Sequence, residues 1–83
     1  MMFFTYILES STTGKFYIGS TNNLEKRIIQ HNKGYNKSTK GGIPWRLIHY
    51  FSFNTRSEAI KLEMKLKKMK SRKRLLKYIS NNK

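Results

Sequence analysis

The sequence predicts a single small α/β domain, one sheet with helices packed on it. Three observations predict it. Runs rich in aromatic and β-branched residues alternate with stretches whose apolar residues recur at helical spacing. The length, 83 residues, allows one domain over residues 1–83 and a modest core. Cysteine is absent, so no disulfide and no thiolate metal site braces the chain. The apolar pattern has to suffice.

Residues 3–8 read as a strand, and residues 10–14 form a turn cluster. Residues 15–19 read as a second short strand, close enough to pair as an antiparallel hairpin. Alternate side chains of a strand share a face. Phe4, Tyr6 and Leu8 therefore point one way, and Lys15, Tyr17 and Gly19 share a face of the second strand. With a four-residue loop, Tyr6 is expected opposite Tyr17.

Asn22 is the expected cap of a first helix, with Glu25 three residues on in a near capping box. The helix should run to about Asn32 and end at Gly34. Leu24 and Ile28 mark its inner stripe, and Arg27 and His31, four apart, stack beside that stripe. Residues 35–42 make a polar, lysine-bearing loop. Pro44 leads into a third strand over residues 45–53, with Trp45, Leu47, Phe51 and Phe53 expected on one face. Thr55-Arg56-Ser57-Glu58 is a capping box for a second helix, whose Ala59, Leu62, Leu66 and Met69 recur at helical spacing. Ser71 is expected to cap a short last helix with Leu75, Leu76 and Ile79 inward.

Charge narrows the function. Eighteen Lys and Arg against four acids give +14. That balance favours a polyanion, through phosphate contacts and counterion release. Solubility alone needs less self-repulsion. A membrane surface is also anionic, but the basic runs are interleaved with core-like strands and carry no lipidation signal. No stretch reaches transmembrane length, and the first residues lack the basic and apolar regions of a signal peptide. The expected address is cytoplasmic. No protein partner is indicated, and one is left open.

The acids are informative because they are few. There is no Asp, and Glu9, Glu25, Glu58 and Glu63 are the whole carboxylate side-chain inventory. Glu25 and Glu58 occupy capping positions, and Glu9 ends a strand. Glu63 instead falls inside the apolar arc of its helix, between Ala59 and Ile60. A carboxylate there needs a cation or hydrogen-bond donors. A lysine salt bridge and a divalent ion both satisfy that need. With so few carboxylates, one metal ion is the sharper reading than two. Taken alone, Tyr6 and Tyr17 read as strand aromatics. Arg27 reads as a solvated helix residue or a phosphate clamp, and His31 as a structural or titrating histidine.

Phe4-Thr5-Tyr6, ten intervening residues and then Tyr17-Ile18-Gly19 resemble the paired motif that names the GIY-YIG nuclease family. The second half matches fully, whereas the first keeps its tyrosine with Phe4 for Gly and Thr5 for Ile. The stretch Ser20-Thr21-Asn22-Asn23-Leu24-Glu25-Lys26-Arg27, with His31 after it, is similar to the family's helix. Arg56-Ser57-Glu58-Ala59 and Glu63 resemble the segment that carries its metal-binding Glu. The resemblance covers residues 4–79, and the short, stand-alone members are the most similar branch.

The resemblance implies a three-stranded antiparallel sheet flanked by helices. It implies Tyr6 and Tyr17 lining one active site, Arg27 on the scissile phosphate, and His31 orienting or deprotonating a tyrosine or the attacking water. Glu63 would hold one Mg²⁺ or Mn²⁺. Some members use a late Asn, for which no counterpart is assigned, since Asn81 and Asn82 lie in the tail. Arg27 and the metal would favour a tyrosine phenolate, whichever tyrosine serves. Lys15, Lys37, Lys40, Lys70 and Arg72 are the expected phosphate contacts. The leading expectation is a metal-dependent endonuclease of low sequence specificity, acting on nucleic acid, DNA before RNA. The alternative is a basic nucleic-acid-binding module that is catalytically weak or inactive. A third reading, a small ribosome-associated or other RNA-binding protein, leaves the inward Glu63 unexplained.

Overall fold

In the computed structural model, which describes residues 1–81, the strands are β1 (Phe3–Ser10), β2 (Phe16–Thr21) and β3 (Trp45–Phe53). They form one antiparallel sheet in the order β2-β1-β3. The helices are α1 (Leu24–Asn32), α2 (Arg56–Met69) and α3 (Arg72–Asn81), and a 3₁₀ turn, Lys40–Gly42, precedes β3. The α/β architecture of three antiparallel strands flanked by helices is the expected one.

β1 runs through the middle because it can be covered on both faces. Thr5, Tyr6, Ile7 and Leu8 are all fully buried, the pattern of a central strand rather than a half-solvated one. On one face Tyr6, Leu8 and Trp45 pack with Leu24 and Ile28 of α1. On the other, Ile7 packs with Leu62 and Leu66 of α2 and Leu75 and Ile79 of α3. Thr5, which replaces an apolar residue of the motif, turns toward α2 and donates its hydroxyl to the Ala59 carbonyl at 2.6 Å. Among the described residues no helix is long and apolar enough to cross a membrane.

Four local expectations are corrected. Tyr6 pairs with Gly19, and Leu8 with Tyr17. The turn keeps four residues but starts one residue later than expected, at 11–14, since Ser10 N–H donates to the Lys15 carbonyl and Gly14 adopts a positive φ of 75°. The register therefore slips by two, which preserves the face of every side chain. In β3, Ile7 faces His49 while Leu8 faces Leu47, so Ile48 is an extra residue. This bulge flips the strand's alternation. Trp45 and Leu47 join the Tyr6 face, while Phe51 and Phe53 join Ile7 on the other. Asn23, not Asn22, caps α1 by accepting from Lys26 N–H at 3.1 Å, because Thr21 receives the Asn23 N–H and sets the turn one residue later. Finally, Leu76 is 43% exposed. One residue turns a helix by about 100°, which carries Leu76 off the stripe of Leu75 and Ile79.

The N-cap half of the second capping box forms as expected. Glu58 N–H donates to the Thr55 hydroxyl at 3.2 Å, and that hydroxyl donates to the Glu58 carboxylate at 2.9 Å. Ser71 caps the last helix, accepting from Arg74 N–H at 3.3 Å.

Candidate active site

The site starts from one buried phenol. The Tyr6 ring lies over the β2 backbone at Gly19, where an added Cβ would sit 2.6 Å from the hydroxyl and 2.8 Å from Cζ. A side chain at position 19 and this tyrosine exclude each other. Tyr17, diagonal to Tyr6 on the same face, packs its ring 6.3 Å from the Tyr6 ring and 4.9 Å from His31.

α1 delivers the next two groups. Its last residue, Asn32, clamps the start of β3: the Trp45 N–H donates to Oδ1 at 2.6 Å, and Nδ2 donates to the Trp45 carbonyl at 2.9 Å. That fixes the helix against the sheet and brings Arg27 and His31 onto Tyr6. Arg27 Nε–H donates to the Tyr6 hydroxyl at 3.4 Å, and His31 Nε2 lies 2.9 Å from the same oxygen. His31 Nδ1 lies 2.8 Å from the Thr39 hydroxyl, which in turn donates to the Asn36 carbonyl at 3.3 Å.

The two ends of this chain set its direction. A guanidinium only donates and a carbonyl only accepts. Arg27 therefore donates to Tyr6, Tyr6 to Nε2 of His31, Nδ1–H to Thr39, and Thr39 to Asn36. His31 is thereby assigned the Nδ1–H tautomer and is neutral. Burial, and secondarily Arg27, push its pKa below the ordinary 6.5.

A neutral buried histidine makes stability pH-dependent. The unfolded chain takes up the proton near pH 6.5, while the folded chain resists it until the pH is lower. Stability present above pH 6.5 is then lost as the pH falls through that window. Glu9 acts lower, because Arg46 first and Arg72 second hold its carboxyl below the usual carboxylate value. Melting curves between pH 7.5 and 5 should fall for the wild type and flatten for His31→Gln. Parallel curves would remove His31 as the cause.

Burial also corrects the phenolate expectation for Tyr6. Its pKa is raised, because desolvation outweighs the opposing hydrogen bond from Arg27. Tyr6 and His31, 0% and 1% exposed, are out of reach of bulk water, whereas Tyr17 and Arg27 are only half-buried.

Glu63 approaches from α2. Its carboxylate accepts from the Ser20 hydroxyl at 2.7 Å, one residue beyond Gly19, and from Lys67 Nζ at 2.7 Å. It is close enough to Tyr6 to contribute, as the least of five causes, to the shift of that phenol. The donors that an inward carboxylate needs are thus present, and one is the lysine foreseen as an alternative. With side-chain exposures of 19% for Glu63 and 53% for Lys67, the pair is a screened helix pair worth about 0.3–0.5 kcal/mol.

Among the described residues no three His, Cys, Asp or Glu side chains converge as a metal cage. One carboxylate with a hydroxyl beside it still fits a hard divalent ion of the kind that keeps several waters and takes substrate phosphates as ligands. Such an ion must compete with Lys67 for the carboxylate.

The basic residues divide. Lys37, with the 73%-exposed Tyr35, lines a cleft of about 290 Å³ whose wall includes Arg27 and His31. Lys15 and Lys70 border a groove that Tyr17 also lines, and Lys40 is exposed at the 3₁₀ turn. Arg72 is committed elsewhere: it donates to the Gly14 carbonyl at 2.5 Å, pairs with Glu9 and covers the Phe16 ring. It ties α3 to the hairpin turn. Asn81 is the exposed last residue of α3, and Asn82 lies outside the described residues.

Sequence reasoning missed Thr39, Ser20 and Asn32. Their partners are 8, 43 and 13 residues away. No local pattern signals such pairings.

Comparison with known proteins adds three findings. A family model described as the GIY-YIG catalytic domain matches residues 2–78. The chain is similar to a UPF0213 protein of Staphylococcus saprophyticus, 44% identical over 68 residues that cover 81% of this chain and 82% of that one. It is likewise similar to one of Listeria innocua, 41% identical over 78 residues covering 93% and 84%. Among solved structures it resembles the solution NMR structure of a UPF0213 protein from Bacillus halodurans. That likeness has a TM-score of 0.58 at 33% identity and covers 96% of this chain and 84% of the other.

Proposed function

This chain belongs to the GIY-YIG family of catalytic domains, and from that premise we propose that it is a metal-dependent endonuclease that hydrolyses phosphodiester bonds. The substrate is nucleic acid, DNA before RNA, cut with low sequence specificity. The observation that carries the reading is the continuous hydrogen-bonded chain Arg27–Tyr6–His31–Thr39, with Tyr17 packed against it and Glu63 of α2 held by Ser20, the residue after Gly19.

In this reading Arg27 and Tyr17 meet the substrate, and Tyr6 and His31 are positioning residues. Tyr6 engages Nε of Arg27, which leaves terminal guanidinium nitrogens to grip the scissile phosphate and neutralise charge as it develops. Because His31 accepts the Tyr6 proton's hydrogen bond, the phenol oxygen stays turned toward Arg27 and holds it in place. Tyr17, the tyrosine that water reaches, orients the attacking water. A Mg²⁺ or Mn²⁺ held by Glu63 beside Ser20 would polarise the phosphate and stabilise the leaving oxygen. Lys37 and the other exposed lysines contact phosphates without reading bases.

A second reading, a binding module without cleavage, is favoured by one observation: Lys67 already occupies Glu63. A cleavage panel separates the two, using plain, nicked, flapped and branched DNA and matched RNA, with Mg²⁺, Mn²⁺ or chelator. The wild type should cut at least one DNA only with metal, and Arg27→Ala should lose about 10²-fold or more. Affinity should fall steeply with salt. Binding without any cleavage by the wild type would transfer the protein to the second reading.

A further inference from the structure

We propose that the groove running from Tyr17 under the outer edge of β2 to the α2–α3 junction is the seat of an unpaired nucleotide beside the scissile bond. This rests on the nuclease reading and gives it a substrate class, nucleic acid with at least one unstacked base at the cut.

The groove has about 480 Å³, within the range of small-molecule pockets. Phe16, Ile18 and Met69 form apolar walls, and the buried Leu66 and Leu75 also line it. Lys15 borders it on the β2 side and Lys70 on the helix side. An apolar slot with ammonium groups on its rim complements one kind of polyanion segment, a base inside with its phosphates outside. A stacked duplex presents phosphates but hides its base faces, so it cannot fill such a slot. Tyr17 lines the groove and also packs against His31 on the Tyr6 face, so this edge residue of β2 links the groove to the site that holds Arg27.

A separate observation concerns Lys70. It ends α2 with φ 47°, the left-handed conformation that glycine adopts at less cost. A lysine kept in that backbone position, exposed and aimed at the groove's rim, is explained by the charge it supplies. Lys67, by contrast, is held by Glu63, and Arg72 by Glu9 and Gly14. Lys15 and Lys70 are therefore the rim cations left for phosphate.

The test titrates the full chain with a thymidine hexamer and with an abasic hexamer of equal charge, read by anisotropy and by amide shifts. The thymidine oligomer should bind about five- to a hundredfold tighter, with shifts at Phe16, Ile18 and Met69. Lys70→Gly should weaken binding of both oligomers while keeping or raising the melting temperature. In cleavage, a duplex with one unpaired nucleotide at a nick should be cut faster than an uninterrupted duplex. Equal affinity for the two hexamers, or shifts confined to the Arg27 cleft, would overturn the seat. Metal-dependent cutting alongside such equal affinity leaves the nuclease reading standing. Base-dependent binding without cutting keeps the seat and removes the nuclease reading.

Discussion

Glu63→Gln is expected to abolish metal-dependent cleavage, by about 10²-fold or more, with folding and nucleic-acid affinity nearly unchanged. The substitution keeps the side chain's shape and an oxygen for the Ser20 hydroxyl, but removes the charge that a divalent ion requires. The stability change should stay below about 1 kcal/mol, because only a solvent-screened pair with Lys67 is lost. This replaces the larger penalty that a deeply buried ion pair would carry. Affinity should hold or rise slightly, since the chain already carries +14 and one negative charge is deleted. The free protein should gain little stability from Mn²⁺, because a lone carboxylate shared with Lys67 offers the ion few ligands until phosphates arrive. Three measurements decide it: single-turnover cleavage, a melting curve and a binding isotherm on both proteins. Cleavage at the wild-type rate by Glu63→Gln would remove Glu63 from the chemistry. A melting drop of many degrees would make it a structural residue.

Gly19→Ala should be the most damaging single methyl addition in the site. The new Cβ would sit 2.6 Å from the Tyr6 hydroxyl and 3.2 Å from a Tyr17 ring carbon. Tyr6 is fully buried between strand and helix, so it has nowhere to retreat. Overpacking of this kind costs about 1–3 kcal/mol. For a domain of this size each kcal/mol lowers the melting temperature by roughly 4–8 °C. Displacing the hydroxyl also breaks its contacts with Arg27 and His31, so cleavage should fall further than stability. Tyr6→Phe supplies the comparison. It leaves Nε2 of His31 buried without its donor, at about 1–3 kcal/mol. The two changes act on one atom, so the double variant should lose less than the sum of the singles. Additive losses would show that Gly19 does not act through the Tyr6 hydroxyl.

The degree to which the site was legible follows from how far apart its partners lie. Tyr6 and Tyr17 share a face because side chains alternate in every strand, and a two-residue slip cannot change that. Arg27 and His31 share a helix face because four residues span about one turn. Glu63 stood out because the chain has so few acids to distribute. Its partners did not stand out: Ser20 comes from β2, and Lys67 was only one of many lysines.

The alternation of apolar residues, the capping threonine and serine of the last two helices, the excess of cationic groups and the motif tyrosines, arginine and histidine are local properties. They depend on repeat lengths of two and 3.6 residues and on charge, so the sequence by itself determined the element order, the α/β class and a polyanion partner. Tertiary structure alone decided the rest. The bulge at Ile48 divided the β3 aromatics between two cores, and the turn's start one residue later set Gly19 under Tyr6. Thr39 was brought to His31, setting the direction of the hydrogen-bond chain. Burial, which no residue has in isolation, then raised the Tyr6 pKa against the pull of Arg27 and kept His31 neutral. Desolvation depends on everything packed around a group, so it exists only once the helices have closed over the sheet.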